Sequence, residues 1–211
     1  MAEALGWVDR LIDVADQGLR AVAAEVPGRR PSPAEHIADG PLTAGERETA
    51  VGLLRVNRAG EISAQALYSA QALFARDRAT EDQLRRAAQE EMDHLAWCTT
   101  RLRELGGRPS RLDPLWYLGS TAIGALAGIA GDRLSLGFVA ETERQVEAHL
   151  EDHLSRLPAN DAKSRAILEA MARDEQRHGS EAAAAGAPIR EPVRSFMRVG
   201  GEILRRVALH L

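Results

Sequence analysis

Disulfides, aromatic-rich strands and a basic surface are all missing from this sequence. Its 211 residues hold one cysteine, Cys98, which excludes an intrachain disulfide framework and every metal site built on Cys-x-x-Cys pairs. Aromatic residues make up 4%, and Ala and Leu dominate the apolar 45%, so little β-branched or aromatic material is available to cover a pleated sheet. A formal net charge of −4 leaves no electrostatic footprint for nucleic acid. Neither a Gly-rich dinucleotide fingerprint nor a cysteine set for an iron–sulfur cluster occurs. Residues 2–25 contain Glu3, Asp9, Asp13, Asp16 and Glu25 without a basic stretch before an apolar core, unlike a secretory or mitochondrial leader. These absences favour an all-α protein in a reducing compartment, with Cys98 as a small core residue.

The chain reads as a series of helices. Residues 5–25 are expected to be amphipathic, with Leu5, Val8, Ile12, Ala15 and Leu19 on one side. A connector with four prolines and two glycines fills 26–42. Thr43 with Glu46 forms a capping-box signature opening a helix to about Asp77, and Thr80 with Gln83 repeats it for a second helix ending at Gly106-Gly107. Residues 114–131 carry no charge, and a length of 18 only just reaches that of a membrane span. Two further helices are expected over 132–157 and 161–185, and the tail from Arg190 reads as a basic amphipathic helix with five Arg against two Glu. The division is therefore 1–42, an amphipathic helix with a Pro-rich connector, and 43–211, a helical-bundle domain with an apolar crossover at about 112–131 and a C-terminal amphipathic helix.

Against this background two short patterns stand out, Glu91-x-x-His94 and Glu175-x-x-His178. On a helix, positions i and i+3 share a face, so each pattern aims a carboxylate and an imidazole at one point. With 19 Glu and 6 His, about half a Glu-x-x-His is expected by chance, so the patterns alone decide little. Their context is more specific. Glu61 precedes Glu91 by 30 residues and Glu143 precedes Glu175 by 32, as in two related halves. Glu61 shares its stripe with Leu54, Ala64 and Tyr68, and Glu143 shares its own with Val139, Ala140, Val146 and Leu150, whereas Glu147 and Glu151 look solvated. Carboxylates on apolar stripes are costly unless paired or metal-bound. One Glu from each of two helices and a Glu-x-x-His from each of the other two is the ligand set of ferritin-like four-helix bundles with two metals. Carboxylates with one imidazole per metal suit iron or manganese. A membrane-spanning 114–131 would put the two halves on opposite sides of a bilayer, so that segment is expected on the bundle or in the membrane interface. Glu90 and Asp174, four residues before His94 and His178, are positioned to orient an imidazole or to be plain surface acids.

The stretch Leu54-Arg55-Val56-Asn57-Arg58-Ala59-Gly60-Glu61, continued by Ala64, Tyr68 and Gln71, resembles the first motif of the demethoxyubiquinone hydroxylases. Glu91-x-x-His94-Leu95, Pro114-Leu115-Trp116 with its Gly-rich continuation, and Arg173-Asp174-Glu175-x-x-His178 resemble later motifs of that family in the same order. The resemblance implies an O2-dependent di-iron monooxygenase of ubiquinone biosynthesis that hydroxylates the demethoxyquinol ring. It carries Glu61, Glu91, His94, Glu143, Glu175 and His178 over as ligands of two iron ions, with Glu91 and Glu175 bridging. It also implies a polyprenylated quinone substrate, an electron donor such as NADH, and peripheral association with the cytoplasmic face of a bacterial inner membrane. A second copy or other ubiquinone-biosynthesis proteins would be its partners. Arg58 stands where many members have His and Leu150 where some have Tyr, which leaves His149 as the candidate for the quinone pocket. Iron storage or peroxide handling, RNA modification and a metal-free membrane adaptor are the competing readings.

Overall fold

The computed structural model describes residues 6–22 and 28–210, and all regular structure among them is helical. In chain order the helices are α1 (Trp7–Val22), α2 (Ala44–Phe74), α3 (Arg78–Glu104), α4 (Asp113–Ile129), α5 (Asp132–Arg156), α6 (Ala162–Ala185) and α7 (Val193–His210). Leu5 and residues 23–25 of the expected first helix lie outside the described residues. The bundle is two antiparallel hairpins, α2–α3 and α5–α6, linked by a crossover that contains α4, as a ferritin-like fold requires.

Local chemistry sets the helix ends. Thr43 caps α2 as its sequence predicts: its hydroxyl accepts the Glu46 N–H, while Glu46 accepts from the Thr43 N–H at 2.8 Å. The second expected box is not used. α3 starts at Arg78 behind Asp77, and Thr80 is buried within the first turn, because Arg76 N–H and Asp77 N–H donate to Asp132 at 3.0 and 2.8 Å and pin the turn earlier. α3 stops two residues before Gly106, whose φ of +76° supplies the left-handed residue that terminates a helix at little steric cost.

Two apolar clusters divide the bundle along its length. Leu53, Leu54, Leu102, Leu150, Ile167, Leu168 and Met171 fill one end, with the Cys98 thiol 3.7 Å from the Met171 sulfur. Tyr68, Leu84, Leu136, Val139 and Ala182 fill the other. The two Glu-x-x-His patterns and their partner glutamates fall on the turns between these clusters, so the polar centre is sealed at both ends.

No helix among the described residues is long and apolar enough to cross a membrane. α4 instead lies along α2, and Gly124 and Gly128 are close-approach positions. A Cβ at Gly124 would sit 2.3 Å from the Leu67 carbonyl oxygen. α4 is also held by charge: Arg58, fully buried, donates to Asp113, to Thr99 Oγ1 at 2.9 Å and to the Ala21 carbonyl. The far side of α4 leaves Leu115, Leu118, Leu126 and Ile129 exposed. α1 packs with its polar and small side inward. Gln17 accepts from Gln65 and Ser69, and Gly18 abuts the Tyr117 ring, so Val8, Ile12 and Leu19 face out. The tail helix divides similarly: Leu204 and Leu209 pack near Val56 and Trp116, while Val193, Phe196 and Ile203 are exposed.

Candidate metal centre

All six sequence-derived residues converge in one buried layer. Glu61 of α2, Glu91 and His94 of α3, Glu143 of α5, and Glu175 and His178 of α6 form two overlapping sets, whose potential ligand atoms lie within 4.8 Å of one another. One set is Glu61, Glu91, His94 and Glu175; the other is Glu91, Glu143, Glu175 and His178. Glu91 and Glu175 belong to both. His94 Nδ1 lies 3.3, 3.2 and 3.1 Å from oxygens of Glu61, Glu91 and Glu175. His178 Nδ1 lies 3.4, 3.6 and 3.5 Å from oxygens of Glu91, Glu143 and Glu175. The pseudo-two-fold relation suggested by the 30- and 32-residue spacings is therefore present in space.

Four buried carboxylates within a few ångströms of each other require compensating positive charge. Burial pushes the Glu61 and Glu143 carboxyls well above the usual range, with the neighbouring glutamates adding to the rise. Glu91 meets the same burial, yet the His178 and His94 imidazoles beside it outweigh that and hold its carboxyl low. Burial opposes a charged imidazole at His94 and His178 as well, and the surrounding carboxylates overcome it and raise both. Protonated imidazoles thus stand where a cation would place positive charge. The donor set fits two divalent ions: four carboxylates with two neutral imidazoles carry a charge that two such ions cancel. The convergent atoms are also under-satisfied, since Glu91 Oε1, Glu143 Oε2, both Glu175 oxygens and His178 Nδ1 are buried without a hydrogen-bond partner.

The outer contacts differ from the same-helix pairing that spacing suggested. Asp174 of α6 serves His94 of α3, at 3.0 Å from Nε2, and Glu90 of α3 serves His178 of α6, at 2.6 Å from Nε2. Each acid precedes a central glutamate in its own helix and reaches the imidazole of the opposite one. Both imidazoles then donate through Nε2 and present Nδ1 to the centre. Arg177 ties the two acids together, bonding Glu90 and Asp174. Sequence reasoning also left Tyr68 unassigned. Its hydroxyl donates to Glu143 Oε1 at 2.5 Å within the sealed layer, and the signal was its place seven residues after Glu61 on the same face.

A cavity of 370 Å³ opens beside this layer between α2, α4, α5 and α7. Gly60 and Thr142, which precede Glu61 and Glu143, line it together with Ala64, Leu67, Ile123 and Phe138. His149 lies on its wall, away from the six central residues, with its ring 5.1 Å from that of His153. Of the two departures from the family pattern, Arg58 is taken up by Asp113 and Leu150 is core; neither lines the cavity.

The family model for ubiquinone biosynthesis protein COQ7 matches residues 48–208. A Cupriavidus necator protein named 3-demethoxyubiquinol 3-hydroxylase is 54% identical over 207 residues, covering 97% of this chain and 100% of the relative. Proteins of the same name from Xanthomonas euvesicatoria pv. vesicatoria and Chromobacterium violaceum are 51% and 50% identical, covering 97% and 93% of this chain and 94% and 96% of their own.

Proposed function

The chain belongs to the ubiquinone biosynthesis protein COQ7 family, and from that premise we propose that it is a 3-demethoxyubiquinol 3-hydroxylase. The observation that carries the reading is the meeting of Glu61, Glu91, His94, Glu143, Glu175 and His178 in one sealed layer beside an apolar cavity. These residues would hold two iron ions, with Glu91 and Glu175 available to both because those two glutamates alone belong to both ligand sets. Two such ions would supply O2 activation; the overall reaction places one oxygen atom on the ring and releases the other as water, consuming two electrons and two protons.

The chain's own residues do the rest. Asp174 and Glu90 keep His94 and His178 with Nδ1 toward the centre. The Tyr68 hydroxyl holds Glu143 Oε1, which fixes that carboxylate beside the cavity wall. Ala64, Leu67, Ile123 and Phe138 give the cavity an apolar wall that suits a polyprenylated quinol with its ring toward Glu61 and Glu143. The two electrons come from the quinol itself, from a directly reacting nicotinamide such as NADH, or from a partner.

The exposed apolar residues of α1, α4 and α7 support peripheral attachment to the cytoplasmic face of a bacterial inner membrane, where such a substrate resides. The test is product analysis in bacteria lacking their own hydroxylase. Cells carrying the wild-type chain should convert the demethoxyquinone, and cells carrying Glu143→Ala should accumulate it. Equal quinone profiles in the two strains would overturn the assignment.

A further inference from the structure

The outer carboxylates of the two halves of the centre are held differently. Glu90 is held by Arg177, an arginine of the bundle itself. Asp174 has Arg177 on Oδ1, but its Oδ2, the oxygen facing His94, is held by Arg30 Nη1 at 2.8 Å. Arg30 is not part of the bundle; it lies in the Pro-rich connector between α1 and α2. Its Nε donates to Asp93 Oδ2 at 3.0 Å, and the backbone N–H groups of Arg29 and Arg30 donate to Asp93 Oδ1 at 2.5 and 3.3 Å. The guanidinium also lies over Trp97, 4.8 Å from the ring centroid, and the Trp97 ring in turn packs 5.3 Å from that of His94. The Trp97 indole N–H donates to the Arg30 carbonyl at 3.4 Å.

We propose that Arg30 is a positioning residue for the metal centre: it clamps Asp93 of α3 to Asp174 of α6 and thereby orients His94, and only His94, toward its metal. The inference rests on the two-metal reading above. An arginine suits the task because its planar fork serves two carboxylates at once, which an ammonium on a flexible stem does not. Asp174 with Oδ2 shared between Arg30 and His94 Nε2 has one orientation. Without Arg30, Arg177 alone would draw it through Oδ1, and the His94 ring would lose its fixed tautomer and tilt. Outer partners of metal-bound histidines typically contribute 10- to 100-fold in affinity. One step further out, loss of Arg30 should cost the His94 site about tenfold and leave the His178 site unchanged.

The experiment is a Co(II) titration of the full chain, following visible absorption and free metal, for wild type, Arg30→Gln, Arg30→Lys, Asp174→Ala and the Arg30→Gln/Asp174→Ala double variant. Helix content by circular dichroism checks each fold. The expected result is two binding steps in wild type and one step weakened about tenfold, with an altered spectrum, in Arg30→Gln. Arg30→Lys should fall between, and Arg30→Gln should add little once Asp174 is alanine. Unchanged binding in Arg30→Gln would overturn the proposal, as would equal weakening of both steps, which marks a merely structural strap. A wild-type chain binding fewer than two Co(II) would instead overturn the two-metal reading, and the positioning role with it.

Discussion

Removing Asp113 should destabilise the protein more than removing Arg58, although the two form one buried pair. Arg58 is fully buried and Asp113 is 3% exposed, so each charge depends on the other. Burial raises the Asp113 carboxyl and lowers the Arg58 guanidinium, and in both cases the partner's attraction offsets only part of that. The pair therefore anchors the start of α4 rather than adding net stability. In Asp113→Ala the guanidinium is stranded, and it cannot shed its proton at neutral pH. Breaking a buried pair in this way costs about 3–5 kcal/mol. At about 2–4 °C per kcal/mol for a chain of this size, Tm should fall by about 6–20 °C. Arg58→Met leaves a carboxyl that can take up a proton, so its cost should be visibly smaller. An Arg58→Met/Asp113→Leu double variant should return to within about 2 kcal/mol of wild type. Urea unfolding at pH 7 followed by circular dichroism measures all four proteins. A cost below about 1 kcal/mol for Asp113→Ala, or a larger cost for Arg58→Met, would refute the reasoning.

Two further outcomes test the crossover and a buried histidine of α5. Gly124→Ala should destabilise despite a helix-propensity gain of about 1 kcal/mol, because its Cβ meets backbone 2.3 Å away. Gly119→Ala, with nothing within 4 Å, should stabilise by up to about 1 kcal/mol, and urea unfolding of the pair reads the contrast. Burial, aided by nearby Arg156, lowers the His153 imidazole to about 4, so the folded state resists its protonation while the unfolded chain does not. The stability this contributes is present above about pH 6.5 and is lost as pH falls toward 4. His153→Gln should therefore flatten the decline in unfolding free energy between those values, and identical pH profiles would contradict it.

Much of the architecture could be read from the residues because its signals are local. The 3.6-residue stripes marked the four bundle helices, the Thr43–Glu46 box marked the start of α2, and matched spacing singled out Glu61 and Glu143 from 19 glutamates. The misreadings share one cause, that partners remote in sequence decide the outcome. Asp132 moves the α2–α3 turn away from the Thr80–Gln83 box. Spacing could pair Glu90 and Asp174 only with histidines of their own helices, whereas the packed bundle exchanges them. Nothing local to the crossover marks Gly124 as a close-approach position; the remote Leu67 backbone does. Arg30 carried no motif, and only its meeting with Asp93 and Asp174 gives it a role.

The most direct measurement is iron bound per chain after anaerobic reconstitution with Fe(II), for wild type and Glu143→Ala. Glu143 belongs to one ligand set and not the other. The account predicts two irons per wild-type chain and one tightly held iron in the variant. Fewer than two in wild type, or an unchanged count in Glu143→Ala, would contradict it.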